Sequence, residues 1–284
     1  MCSNLVLCEK LERLKSILSG YGQMLIALSG GVDSVFLLIF ARNVLGSDSM
    51  AALTASGPHF APDEVQYAAS LCDSLGISHK IITTDEILPL IEDNPPDRCY
   101  ICKKAIFSQL KERAEMTGSI LADGTNLDDM DDYRPGHRAL QELGVSSPLR
   151  DAGLTKAEIR DALKLMASED TALAAALTLE NDMPVWEKPA FACLASRIPY
   201  GDIITCEKLN AVYKAETFMR SLGFAQVRVR HHGDVARIEV LPGDRHRLFD
   251  EALMDRINKE ITACGFKYAA LDLGGYKMGN LNKE

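Results

Sequence analysis

The sequence predicts an α/β protein: a mostly parallel sheet covered by helices on both faces, followed by a smaller α+β domain. Three observations carry this expectation. Apolar segments of strand length at 24–28, 50–56, 80–84 and 119–123 alternate with helix-patterned stretches. Several of these strands end on small or polar residues, at Ser29–Ser34, Thr54–Ser56 and Gly124–Asn126, where sheets of this kind bind ligands. Past Met183-Pro184 the pattern changes to a helix, two strands, a second helix and a last strand, which sets domains at 1–183 and 184–284.

The elements follow in order. Leu7, Leu11, Leu14 and Leu18 recur at helical spacing, and that helix ends near Gly20. Met24-Leu25-Ile26-Ala27-Leu28 is a buried strand, Gly30-Gly31 a tight turn, and the apolar run to Leu45 a helix. Met50–Ser56 is a second strand, and Pro62-Asp63-Glu64 opens a helix with proline in its first turn and acids on its dipole. Lys80–Thr84 and Ser119–Asp123 are further strands, and Val145–Leu149 a short fifth. Thr155 followed by Glu158 is a capping box. Helical composition runs from Ala167 to about Glu180, where Met183-Pro184 stops it. In the second domain Cys206–Leu222 is a helix, Ala225–His231 a strand and His232-Gly233-Asp234 a turn. Val235–Leu241 is a strand, Asp244–Cys264 a helix and Tyr268–Leu273 a strand.

The bulk properties narrow the function. At 284 residues, 47% hydrophobic and 25% charged, the chain has the composition of a soluble globular protein. A net charge of −9 speaks against a large nucleic-acid footprint. The Met1 end lacks a basic-then-apolar signal, and no apolar run approaches membrane-spanning length, so a cytoplasmic protein without membrane partners is expected. Eight cysteines in such a chain read as thiols or metal ligands.

A strand turning through glycines into a helix aims free backbone N–H groups at one spot, where the helix dipole also favours negative charge. Ser29 and Ser34 add hydroxyls, and Asp33 can hold a divalent cation bridging phosphate oxygens. No Gly-Lys-Ser/Thr follows, and the loop is not G-x-G-x-x-G. The pattern S-G-G-x-D-S resembles the PP-loop of the ATP pyrophosphatase superfamily, whose members adenylate a substrate and release pyrophosphate. That resemblance implies ATP and Mg2+, with Ala27, Leu28, Ser29, Gly30, Gly31, Asp33, Ser34 and Thr54 at the nucleotide and Asp33 on the metal. Gly124, Thr125, Asn126 and Asp128 resemble the superfamily's second nucleotide loop, with Gly124, Asn126 and Asp128 at ATP. Asp129–Asp132 reads as a solvated loop. Lys156-x-Glu158-x-Arg160 looks like the K-x-E-x-R element of PP-loop synthetases, whose lysine approaches phosphate, although a solvent-facing charge is an equal reading for Lys156.

Cys193 sits in a loop constrained by Pro189, Pro199 and Gly201, where Arg197 and Lys188 would favour the thiolate. The run K-P-A-F-A-C-L-A-S-R-I-P-Y-G closely resembles the LarE family of ATP-dependent sulfur transferases, which help build the nickel-pincer nucleotide cofactor. The likeness extends over essentially the whole chain, including Arg228-Val229-Arg230 and the ending Leu271-Asp272-Leu273-Gly274-Gly275-Tyr276. It implies a small nucleotide substrate, a pyridinium bis-carboxylic acid mononucleotide, whose adenylated carboxylate is attacked by sulfur held at Cys193. The family supplies sulfur in two ways: from the cysteine itself, which becomes dehydroalanine, or from a [4Fe–4S] cluster on three cysteines. Cys99 and Cys102 form a C-x-x-C that, with Cys193, matches the second route; zinc or redox chemistry are the other readings of such a pair. Cys2, Cys8, Cys72, Cys206 and Cys264 read as structural.

On the strand around Val227 and Val229, Arg228 and Arg230 share one face, and the neighbouring strand can bring Arg237 and Glu239 beside them. The likeness makes Arg197, Arg228 and Arg230 candidates for the substrate phosphate, with Glu216 and Glu239 nearby, and it implies a homo-oligomer. His59, His137, His231, His232 and Trp186 carry no pattern that asks for a chemical role. Two other classes compete: a PP-loop transfer-RNA thiolase, which would need an extended basic surface, and a non-catalytic nucleotide sensor.

Overall fold

The computed structural model describes residues 5–130, 135–179, 182–189 and 191–277; Cys2, Asp131, Asp132, Glu180 and Ala190 lie outside them. The chain divides into two compact units. One comprises residues 1–57, 62–87 and 97–190, the other 58–61, 88–96 and 191–284.

In the first unit, β1 (Met24–Ala27), β2 (Met50–Ser56), β3 (Ser78–Thr83) and β4 (Ile120–Ala122) form a wholly parallel sheet in the order β3-β2-β1-β4. Its helices are α1 (Leu5–Ser19), α2 (Val32–Leu45), α3 (Pro62–Ser74), α4 (Arg98–Met116), α5 (Pro135–Glu142), α6 (Pro148–Asp151), α7 (Lys156–Glu169) and α8 (Thr171–Ala176). The core runs from Leu7, Leu14 and Leu18 of α1 through Met24 and Ile26 of β1 to Val35–Ile39 of α2. Each such aliphatic side chain contributes about 1.5–3 kcal/mol on burial. Because α2 is apolar around most of its circumference, the glycine turn preceding it is built on a rigid base.

Two elements expected in this unit differ. The fifth strand at 145–149 reduces to one parallel bridge between Ser146 and Ala122, because Pro148 starts α6 and ends the pairing. The helix expected from Ala167 onward breaks at Asp170, whose extended backbone ends α7 while its carboxylate accepts from the N–H groups of Ala172 and Leu173 to start α8.

In the second unit, β5 (Val227–His232) and β6 (Val235–Val240) are antiparallel, and β7 (Tyr268–Leu271) joins β6 in parallel. Two helices accompany them, α9 (Cys206–Ser221) and α10 (Glu251–Ala263). The helix expected over Asp244–Cys264 is split: Pro242–Phe249 is 3-10, and Asp250 caps Leu253 N–H to begin α10. Residues 58–61 and 88–96 belong with this unit through hydrogen bonds that sequence distance hides. Leu194 N–H donates to His59 O, Ile204 N–H to Glu92 O, and the Asn94 amide to Ile198 O and Pro199 O. No described helix is long and apolar enough to cross a membrane.

Candidate active site

The carboxyl ends of β1, β2 and β4 bring three predicted segments together. Gly31 is the N-cap of α2 and no side chain caps the helix, so its first amides lack the usual acceptor. Around them, Ser29 N–H donates to Ser34 Oγ (3.2 Å), Gly31 N–H donates to Ser29 Oγ (3.3 Å), and the two hydroxyls lie 3.1 Å apart. Ser34 Oγ donates to Gly31 O at 3.0 Å. Leu28 N–H pairs with Leu53 O, and the Thr54 hydroxyl donates to Leu28 O at 2.8 Å. That proton is spent, so His79 Nε2–H, 2.8 Å from Thr54 Oγ1, is the donor to it; burial lowers the His79 pKa and keeps the ring neutral. Ala27 and Leu28 thus shape the turn through backbone, and Thr54 ties β2 to it.

Gly124 seats the second loop directly on the first: a Cβ there would fall 2.7 Å from Ser34 N and 2.9 Å from Ser34 Cα. Behind it the buried Asp123 carboxylate accepts from Thr125 and Ser147 hydroxyls, which holds the loop. Asp128 accepts from Lys156 N–H (2.8 Å), at the start of α7. Asp129, expected in a solvated run, is instead buried: it accepts from Lys156 Nζ at 2.9 Å and from Asn126 N–H at 3.2 Å. Sequence reading missed it because the 3-10 segment Leu127–Met130 turns Asp129 inward; the signal available was Lys156 in the K-x-E-x-R element. Burial and the charge of Asp129 raise the Asp33 pKa to about 6, against the opposing influence of Lys156, Arg160 and Asn126. A carboxylate raised in this way, beside a second one, is one whose charge a divalent cation would relieve. Arg160, also unassigned before, reaches the carbonyls of Trp186 and Lys188.

In the second unit, Cys193 is half-buried and is the N-cap of a 3-10 turn, Leu194–Arg197. Its carbonyl accepts from Ser196 N–H (3.0 Å), Ser196 Oγ (2.8 Å) and Arg197 Nη1 (3.0 Å). Arg197 is wholly buried; its Nε and Nη2 make a two-pronged pair with Glu216 at 2.8 and 2.9 Å, and Nη1 also donates to Ala192 O. Glu216 further accepts from Val229 N–H. Lys188, expected beside the thiol, is itself part of the first unit, where it pairs with Glu64 at 2.6 Å and donates to Gly30 O.

Arg228 and Arg230, on one face of β5, are both buried. The register sets Arg228 opposite Glu239 and Arg230 opposite Arg237. Arg230 donates to Ser196 O and Glu239 Oε2, and its buried Nε–H has no acceptor among the described residues. The Arg228 guanidinium lies 5.4 Å from the Phe191 ring centre and 5.2 Å from that of Tyr276. Burial, then the charge of Arg197, lowers its pKa to about 10. Cationic at neutral pH but poorly solvated, it gains from a bound anion.

Cys99 stands in the first turn of α4 and Cys102 at the start of the second, both half-buried. Their spacing puts both on one helix face, at the end whose dipole favours thiolates. Among the described residues no three His, Cys, Asp or Glu side chains are gathered to hold a metal ion.

Known proteins resemble this sequence. A family model described as NAD synthase matches residues 9–120. An NH(3)-dependent NAD(+) synthetase of Thermococcus kodakarensis is 34% identical over 86 residues, 30% of each chain. An uncharacterized protein of Synechocystis, slr1717, is 38% identical over 277 residues, 97% of each chain. The pyridinium-3,5-bisthiocarboxylic acid mononucleotide synthase of Lactiplantibacillus plantarum is 38% identical over 278 residues, 97% of this chain and 95% of that one. A likeness of that degree along almost the full length of both, joined to the glycine loop and the Cys193 segment, shows that the chain belongs to the LarE family of PP-loop sulfur transferases.

Proposed function

We propose that the protein uses ATP to activate a carboxylate of pyridinium-3,5-biscarboxylic acid mononucleotide and replaces one of its oxygens with sulfur. The observation that carries this reading is one chain holding both an uncapped glycine-loop cradle, Ser29–Ser34, and a half-buried thiol, Cys193, whose loop is fixed by a buried arginine. A carboxylate oxygen attacks the α-phosphorus and pyrophosphate leaves with the bridging electrons. Sulfur then attacks the acyl carbon, the carbon–oxygen bond to AMP breaks, and a thiocarboxylate remains. The Ser29 and Ser34 hydroxyls and the first α2 amides stabilise phosphate charge, with Gly124, Asn126 and Asp128 completing the nucleotide site. Arg228 and the unmatched Arg230 Nε–H hold the substrate phosphate, and Arg197 fixes the backbone that presents the thiol. Residues 1–183 carry the activation and 184–284 the substrate and sulfur.

Mg2+ at Asp33, where the half-buried carboxylate beside the buried Asp129 favours a cation, would neutralise phosphate charge. The Cys99–Cys102 pair suits two thiolate ligands, and with Cys193 as the third a [4Fe–4S] cluster would supply a labile sulfide from its remaining iron. Without a cluster, the Cys193 sulfur itself is transferred, its Cβ–S bond breaking as the Cα proton leaves.

Turnover with ATP, Mg2+ and the biscarboxylate mononucleotide, followed by mass spectrometry, tests the reaction. Thiocarboxylate and pyrophosphate are expected, with Cys193→Ser releasing pyrophosphate but making no thiocarboxylate. Absence of pyrophosphate release by the unaltered protein would refute the activation step. Anaerobic protein carrying about four iron atoms per chain supports the cluster; colourless protein that loses one sulfur from Cys193 supports the sacrificial route.

A further inference from the structure

Lys188 lies in the run that leads on to Cys193 and belongs to the first unit, where its side chain is engaged. Nζ donates to Gly30 O at 2.9 Å and to Glu64 Oε2 at 2.6 Å, and sits 5.0 Å from the Tyr67 ring centre. Ammonium and carboxylate are only 12% and 16% exposed, so solvent screens the pair weakly. The stem is fixed as well, since Arg160 of α7 donates to the Lys188 carbonyl at 2.8 Å. Glu64 also closes on the turn from α3: a Cβ on Gly30 would fall 2.8 Å from Glu64 O and 2.9 Å from Glu64 Oε2. Gly30 moreover has a φ of +75°, so glycine is needed there twice over.

A trans peptide is planar, with its C=O and N–H on opposite sides. Holding Gly30 O toward Lys188 therefore turns the Gly31 N–H the other way, toward the Ser29 hydroxyl, where it donates at 3.3 Å. We propose that the Lys188–Glu64 ion pair is a clasp that sets the Gly30–Gly31 peptide with its N–H on the Ser29 side of the turn, where a bound phosphate takes it over from the Ser29 hydroxyl. Lys188 and Glu64 are then positioning residues for ATP, touching the loop from behind. This rests on the nucleotide reading of Ser29–Ser34 and extends it to two residues that no phosphate-loop pattern contains.

The test is calorimetric titration of the full chain with ATP and with adenosine, in Mg2+, for the unaltered protein, Lys188→Met, Lys188→Arg and Glu64→Gln, each checked for folding by thermal unfolding. Adenosine has no phosphate, so it reports on everything except the clasp's target. Lys188→Met should lose about tenfold or more in ATP affinity, the size of a charge-assisted hydrogen bond, with adenosine affinity unchanged. Lys188→Arg, which can still span both acceptors, should restore most of it. An unaltered protein that prefers ATP and a Lys188→Met that keeps that preference in full overturn the clasp and leave the nucleotide reading standing. Parallel loss of both ligands also overturns it, marking the pair as a general packing element. An unaltered protein that does not distinguish ATP from adenosine overturns the nucleotide reading and the clasp together. Should Lys188→Met not fold, Glu64→Gln is judged on the same ATP-to-adenosine comparison.

Discussion

At Gly124 a single methyl group separates two loops that meet from being forced apart. The atoms a Cβ would strike, Ser34 N and Cα, are main chain in the first turn of α2, so no side chain can swing aside. Gly124→Ala should cost about 1–3 kcal/mol of stability and weaken ATP binding. Gly22, with nothing within 4 Å of its added Cβ, is the matched control and should lose neither. Thermal unfolding and ATP titration of the two variants check this. A glycine turn was legible at 124 in the sequence; the helix backbone it abuts was not, since that contact spans some ninety residues of chain. Asp129 shows the same limit in reverse. Beside Asp128 it reads as one more solvated acid, and only the inward turn of 127–130 puts it with Lys156 and Asp33.

Between elements, the Arg197–Glu216 pair joins the Cys193 turn to α9, and Glu216 reaches on to the β5 backbone at Val229. Both side chains are fully buried, so removing one charge strands the other: Glu216→Gln should cost about 3–5 kcal/mol. Burial pushes the Glu216 carboxyl up, but the charge and hydrogen bond of Arg197 outweigh it and leave the pKa below the ordinary 4.5. A depressed carboxylate pKa means the contribution is fully present above pH 4.5 and is lost as the pH falls beneath it. Denaturant midpoints measured between pH 7 and pH 3 should therefore drop less steeply for Glu216→Gln than for the unaltered protein. Element existence was mostly readable from apolar spacing, but element ends were not. Asp170 and Asp250 split two helices that composition runs together, each by offering its carboxylate to amides one turn on.

For the molecule as a whole, the charge of −9 and the pairing of the second unit's arginines point the same way. Arg197 faces Glu216, Arg230 faces Glu239, and Arg237 pairs with both Glu239 and Asp272, so these cations are gathered into a folded network rather than spread as a polyanion-binding surface. Transfer RNA should neither bind at physiological salt nor slow turnover of the mononucleotide. Fluorescence anisotropy with labelled transfer RNA checks this, and tight, salt-dependent binding would favour the thiolase reading instead. The two compact units also show why a single boundary read along the chain is incomplete. Residues 58–61 and 88–96 join the second unit through His59, Glu92 and Asn94, by hydrogen bonds to residues about a hundred or more positions later.

The sequence alone determined most of the strands and helices along the chain, the glycine turn at Ser29–Ser34 and the Cys193 segment that marks the family, because these are written in local periodicity, glycine placement and short motifs. Only the tertiary structure decided which charges face each other: Lys188 goes to Glu64 and Gly30, Asp129 to Lys156, and Arg197 to Glu216 and the Cys193 carbonyl. Long side chains from distant segments choose among many partners of like chemistry. That choice is made by burial and backbone direction, which no local stretch of residues contains.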